Sequence, residues 1–287
     1  MSFREGTKRR SLLLRSGKFQ AMGLPLFITD AFTDVAFGGN PAAVCLLDRP
    51  RESAWMQAVA TEMNLSETAF LLREHAGWRL RWFTPRVEVE LCGHATLAGA
   101  HVLWEANQIG SEELAVFDTR SGRLTCARRG GWIEMDFPAE PPIGPIDPGA
   151  LLAALGKPAS LVDHQRNRMD YLVELADEAA VRALTPDMRM LARLPMRGVI
   201  VTAHSNDPRF DFVSRFFAPG VGIDEDPVTG SAHCCLAPYW AQKLGKREMV
   251  GYQASTRGGV VRVSLRNDRV ALGGQAVTVA RGQLTVD

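Results

Sequence analysis

The sequence predicts an α+β protein built from two similar halves, each a strand-rich layer curled about one buried helix. Three observations carry that prediction. First, Leu91-Cys92-Gly93-His94-Ala95-Thr96-Leu97-Ala98 is echoed by Gly230-Ser231-Ala232-His233-Cys234-Cys235-Leu236-Ala237, and one shift of 137 positions also carries Ala100 to Ala237, Thr119-Arg120 to Thr256-Arg257 and Gly122 to Gly259. A constant offset over about thirty residues reads as two copies of one supersecondary unit. Second, the helices opened by these two glycine turns are apolar almost all round, and a helix without a polar face is buried. Third, short β-rich runs bounded by turn residues flank both helices.

Taken in order, residues 25–32 form a β-rich run, Gly38-Gly39-Asn40-Pro41 marks a turn, and 42–47 is a buried strand stopped by Pro50. Ser53 caps a helix over 54–63, where Trp55, Val59 and Met63 recur at helical spacing. Residues 64–72 read as an apolar strand interrupted by Ser66-Glu67-Thr68, and 78–83 as an alternating strand. The helix opened by Gly93-His94 ends near Gly110, and strands follow at 114–117, 123–127 and 132–137. Five prolines between 138 and 148 mark a boundary, dividing the chain into domains at 22–137 and 138–287. The second half repeats the theme. It has helices at 151–155 and 178–184, strands at 171–175, 198–202 and 211–217, the second buried helix running to Leu244, and strands at 250–255, 260–265, 270–272 and 276–279.

With 287 residues the chain is long enough for two domains and a large core. A formal net charge of +1 supplies no field to draw it to nucleic acid or a membrane, and no apolar run approaches the ~20 residues of a membrane span. Cys45, Cys92, Cys126, Cys234 and Cys235 are odd in number and form no C-x-x-C pair, which suits a reducing cytoplasm. Residues 1–21 carry six basic side chains against Glu5, and the apolar part is too short for a signal peptide. This segment reads as a disordered extension or an upstream start with Met22 as the natural beginning, the other reading being a functional basic arm.

A helix N-terminus offers unpaired N–H groups and partial positive charge, so two of them facing one cleft suit a small carboxylate. The plainer reading, with Gly93 and Gly230 serving tight turns and His94 and Ser231 as caps, stays open for each turn taken alone. Glu67 is out of place in an apolar strand. Buried, its carboxyl becomes a candidate proton carrier; on an exposed edge strand it is unremarked. His94 near a carboxylate can orient a proton, and Asp226 before Pro227 is either a turn former or part of the site. Metal binding is not expected: His94 and His101 lie seven apart without the i, i+4 partner and third ligand of a zinc helix.

Together Asp30-Ala31-Phe32-Thr33 with Gly39-Asn40-Pro41, Asn64-Leu65-Ser66-Glu67-Thr68, Gly93-His94-Ala95-Thr96 and Glu225-Asp226-Pro227-Val228-Thr229-Gly230-Ser231-Ala232 resemble the phenazine-biosynthesis isomerase (PhzF-like) family over nearly everything from Met22 onward. The resemblance implies the diaminopimelate-epimerase-like fold, two pseudo-twofold-related domains each wrapping a curved, mostly antiparallel sheet about a central helix, with the active site between them. It places the acid/base on Glu67, gives His94 and Asp226 the holding and polarising of substrate, and lines the pocket with Asn40, Ser66, Gly93, Thr229, Gly230 and Ser231. The family's characterised reaction moves a proton between ring carbons of a dihydro-hydroxyanthranilate without cofactor or metal. The same resemblance implies a homodimer.

Related racemases use two cysteines; Cys92 stands where the first belongs, but Thr229 occupies its counterpart. The expectation is therefore a cofactor-independent isomerase acting on a small carboxylated substrate. The alternatives are a metabolite-binding protein on the same fold or, less favoured, a racemase.

Overall fold

In the first half of the computed structural model, β1 (Leu24–Ala31), β2 (Asn40–Leu47), α1 (Ser53–Met63), β3 (Glu67–Glu74), β4 (Gly77–Phe83) and β5 (Glu88–Val89) lead into the central helix α2 (Gly93–Glu105), followed by β6 (Ala115–Thr119), β7 (Gly122–Arg129) and β8 (Trp132–Pro138). The second half runs β9 (Gly144–Pro145), α3 (Gly149–Ala154), β10 (Leu161–Arg166), β11 (Asp170–Leu175), α4 (Glu178–Ala183), α5 (Met188–Leu191), β12 (Gly198–His204) and β13 (Phe212–Phe217) into its own central helix α6 (Gly230–Leu244), then β14 (Glu248–Gln253), β15 (Gly259–Arg266), β16 (Arg269–Gly274) and β17 (Ala276–Leu284). Residues 23–285 are described, apart from Ala76 and Ala159; the basic extension expected at 1–21 lies outside them.

Strand pairing shows the duplication more completely than the sequence does. From β1 through β2, β3, β4, β6 and β7 to β8 the neighbours run antiparallel, parallel, antiparallel, parallel, antiparallel, antiparallel. From β10 through β11, β12, β13, β14 and β15 to β16 the same series repeats. The offset also survives in space: α2 and α6, β7 and β15, and β8 and β16 each begin 137 positions apart. β8 pairs antiparallel with β16 and joins the halves. The strand after each of these crosses over: β9 pairs with β10, and β17 with β1. The last strand thus belongs by pairing to the first half, a crossing that a boundary read from prolines does not reveal. Pro238 inside α6 cannot donate to the carbonyl of Cys234, and that carbonyl instead accepts from Glu140 N (3.0 Å), docking the β8–β9 connection on the helix.

Each sheet is buried on two faces. On β2, Val44 and Leu46 face the core around α2 while Cys45 and Leu47 face α1; on β3, Ala69 and Leu71 face α2 while Phe70 faces α1. In the second half Ile200 faces the central core, and Val199 and Val201 face the layer of α3, α4 and α5. Double burial explains why these strands read as continuous apolar runs rather than alternating ones. Both central helices share one core cluster. Some expectations are corrected. Ser53 is the first helical residue rather than a cap, and its hydroxyl accepts from Arg81 Nη2 (2.7 Å). Asn40 and Pro41 open β2 rather than a turn. β10, polar and only half-buried beside β9 and β11, has no apolar pattern to announce it. Among the described residues no helix is long and apolar enough to cross a membrane.

Candidate active site

Parity on the strands decides where the polar residues point. Asn40 shares the phase of Val44 and Leu46, and Glu67 that of Ala69 and Leu71, so both face α2 from the first residues of two parallel neighbours. There they meet the start of the helix. His94, 5% exposed, places Nε2 3.1 Å from Glu67 Oε2, and Glu67 is itself only 8% exposed. The contact is close enough for charge attraction but not aligned as a hydrogen bond, so Glu67 Oε2 has no hydrogen-bond donor among the described residues. Asn40 Nδ2 donates to Asp226 Oδ1 (2.8 Å) and Val228 O (3.0 Å) and lies 3.2 Å from His94 Nδ1. Its two hydrogens serve the nearer pair, which fixes the amide orientation. The Asn40 side chain thereby ties the first half to the second.

Across the cleft, Thr229 Oγ1 donates to Asp226 Oδ2 (2.5 Å), and Gln253 clamps the segment through Nε2 to Asp226 O (2.7 Å) and through Oε1 from Thr229 N (2.9 Å). The two helix starts abut: a methyl built on Gly93 or on Gly230 would lie 3.7 Å from the other's Cα. Two helix N-termini, with their unpaired N–H groups, therefore meet at one point.

Burial alone pushes the His94 imidazole down, but the neighbouring Cys92 and Glu67 outweigh it and hold His94 well above its ordinary range. Burial, aided by the Glu67 charge, pushes the Cys92 thiol up to about 11. At neutral pH that thiol is uncharged. Asp226 is half-buried as a residue, its carboxyl lies among Asn40, Thr229 and His94, and burial raises its pKa against the opposing pull of His94.

Asn40, Glu67, His94, Asp226 and Thr229 thus form one contiguous polar set, with Gly93 and Gly230 at its floor. Ser66 sits half-buried immediately before Glu67. Ser231, the 137-offset counterpart of His94, is held differently: its Oγ accepts from Arg197 Nη2 (2.9 Å), whose guanidinium grips the fully buried Asp170 at 2.9 and 2.5 Å. Because Arg197 uses an acceptor site of the hydroxyl, the Ser231 proton is left for another partner. One helix start therefore carries a carboxylate–imidazole pair, and the other an arginine-backed hydroxyl. Arg197, Asp170 and Gln253 escape sequence reasoning because no spacing links them to the turns they support. The Arg197–Asp170 contact spans 27 residues.

The Phenazine biosynthesis-like protein family model (PhzC-PhzF) matches residues 29–282. A protein of Halalkalibacterium halodurans named as an uncharacterized isomerase is 53% identical over 264 residues, covering 92% of this chain and 99% of the relative. A crystal structure of a PhzF-family phenazine biosynthesis protein from Enterococcus faecalis superposes with a TM-score of 0.86 at 43% identity, covering 91% of this chain and 99% of that one. A probable proline racemase from Agrobacterium radiobacter shares the fold alone, with a TM-score of 0.62 at 12% identity over 92% of this chain and 93% of that one. With its duplicated sheets, its meeting helix starts and a family match that spans nearly all its described length, the chain belongs to the phenazine biosynthesis-like (PhzF) family and is an isomerase.

Proposed function

We propose that Glu67 is the proton carrier of a cofactor-independent isomerisation of a small carboxylated substrate, cyclic or amino-acid-like. The observation that carries this reading is the Glu67 carboxyl: nearly buried, with Oε2 lacking a hydrogen-bond donor, and held 3.1 Å from His94 Nε2 at the meeting point of two helix starts. The helix starts and the Ser231 hydroxyl offer donors to the substrate's carboxylate. His94, itself buried, can stabilise charge developing on the substrate. Glu67 takes a proton from the activated carbon and returns it elsewhere on the same face, while Asp226, fixed by Asn40 and Thr229, orients the reacting group.

A two-thiol racemase finds less support. The counterpart of Cys92 is Thr229, whose hydroxyl is engaged by Asp226, and burial pushes the thiols of Cys234 and Cys235 up to about 12 within α6. The test is solvent deuterium incorporation into a panel of small carboxylated metabolites, read by mass spectrometry for the wild type and Glu67→Gln. Removing a positioned proton carrier is expected to slow exchange by about 10²–10⁴-fold with the circular dichroism unchanged. Exchange retained in the variant sinks the mechanism, and binding without exchange in the wild type favours a metabolite-binding protein instead.

A further inference from the structure

We propose that Glu67, Cys92 and His94 also form a binding site for a divalent transition-metal ion of the zinc class, whose occupation blocks the cleft. Three different ligand types converge there, one atom from each lying within 4.8 Å of the others. His94 Nε2 stands 4.0 Å from Cys92 Sγ and 3.1 Å from Glu67 Oε2. Ligands on a tetrahedral zinc ion, with bonds of about 2.0–2.3 Å, stand roughly 3.3–3.6 Å apart. Side-chain adjustment that closes the His94–Cys92 gap and brings the three atoms to that spacing would therefore seat the ion.

Two further observations favour a metal over chance proximity. All three side chains belong to residues at least nine-tenths buried, and Glu67 Oε2 has no donor to satisfy it. Each is also mounted on a regular element: Glu67 is the first residue of β3, Cys92 immediately precedes α2 and His94 is its second residue. Ligands held this way lose little freedom on binding. The donor set selects the ion. A thiolate and an imidazole suit zinc or cobalt rather than magnesium or calcium, which take oxygen ligands. With His94 bound as the neutral imidazole, one thiolate and one carboxylate cancel the charge of a divalent ion, so the buried assembly is neutral, the thiol proton and the second proton of the His94 ring leaving to solvent. Three protein ligands leave a fourth position for water or a ligand's donor atom. His101, seven residues further along α2, does not take part: it contacts Thr278 Oγ1 (3.2 Å) and Glu105, away from the cleft.

The test uses the full chain stripped with chelator and titrated with zinc chloride in a calorimeter, then with cadmium chloride, whose thiolate charge-transfer band is read in the ultraviolet. One equivalent per chain is expected. Cys92→Ser, Cys92→Ala and Glu67→Gln should each weaken zinc at least tenfold, and the cadmium band should vanish in both cysteine variants, with thermal melts showing that each is folded. Absence of saturable one-to-one binding in the wild type overturns the proposal, as does undiminished affinity with a persisting band in the folded cysteine variants. Calorimetry reads no turnover, so the metal site and the proton-transfer reading fail separately.

Discussion

Arg197 is the residue whose loss the structure makes most quantifiable. Asp170 is fully buried, and its carboxylate finds Arg197 Nε at 2.9 Å and Nη2 at 2.5 Å. Arg197→Met leaves that carboxylate uncompensated. Removing one partner of a buried ion pair costs about 3–5 kcal/mol, and the 34% exposure of the Arg197 side chain, which lets water reach the vacated place, puts the expected loss near 3 kcal/mol. For a domain-sized chain at about 2–4 °C per kcal/mol, the melting temperature should fall by roughly 6–12 °C. Thermal and urea unfolding of the variant measure this directly. Asp170→Asn in the same chain removes the buried charge as well, so the double variant should recover a substantial part of the loss. A single-variant loss below about 1 kcal/mol, or a double variant less stable than Arg197→Met, would refute the reasoning.

Burial holds the His233 imidazole down to about 4, outweighing the opposing hydrogen bond from Nδ1 to Thr229 O (2.9 Å), and Nε2 has no hydrogen-bond partner among the described residues. A folded-state pKa below the unfolded one gives stability that is complete above about 6.5 and is lost as pH falls through about 4, here about 3 kcal/mol. Urea midpoints from pH 7 to 4 should fall less steeply in His233→Gln, and identical slopes would exclude this histidine as the cause. Gly39 has φ +61 and a Cβ there would stand 2.1 Å from Ala31 O, so Gly39→Ala should cost at least about 1–3 kcal/mol by chemical denaturation and disturb the adjoining Asn40.

Much of the fold was legible. Both central helices begin at the glycines marked by the repeat, and the principal strands of the first half lie where hydrophobic runs and turn residues place them. The edge strand β10 was not legible, since its stability comes from neighbours rather than from its own pattern. Nor was the return of β17 to β1, because no local composition records which distant edge a strand will pair with. The candidate site divides in the same way. Glu67, His94 and Asp226 stand out as polar groups in apolar or turn contexts, whereas Arg197, Asp170 and Gln253 are ordinary until the fold sets them beside Ser231, Asp226 and Thr229.

By itself the sequence determined the duplication, the two apolar helices and the identity of the groups able to carry a proton, all properties of residue type and spacing along one chain. Tertiary structure alone decided that Asn40 and Glu67 share the inward face of neighbouring strands, that two helix starts touch, and that Cys92 and Glu67 both reach His94. Those relations depend on strand phase and on burial from two sides. A shift of one residue would send Glu67 toward α1 instead of α2.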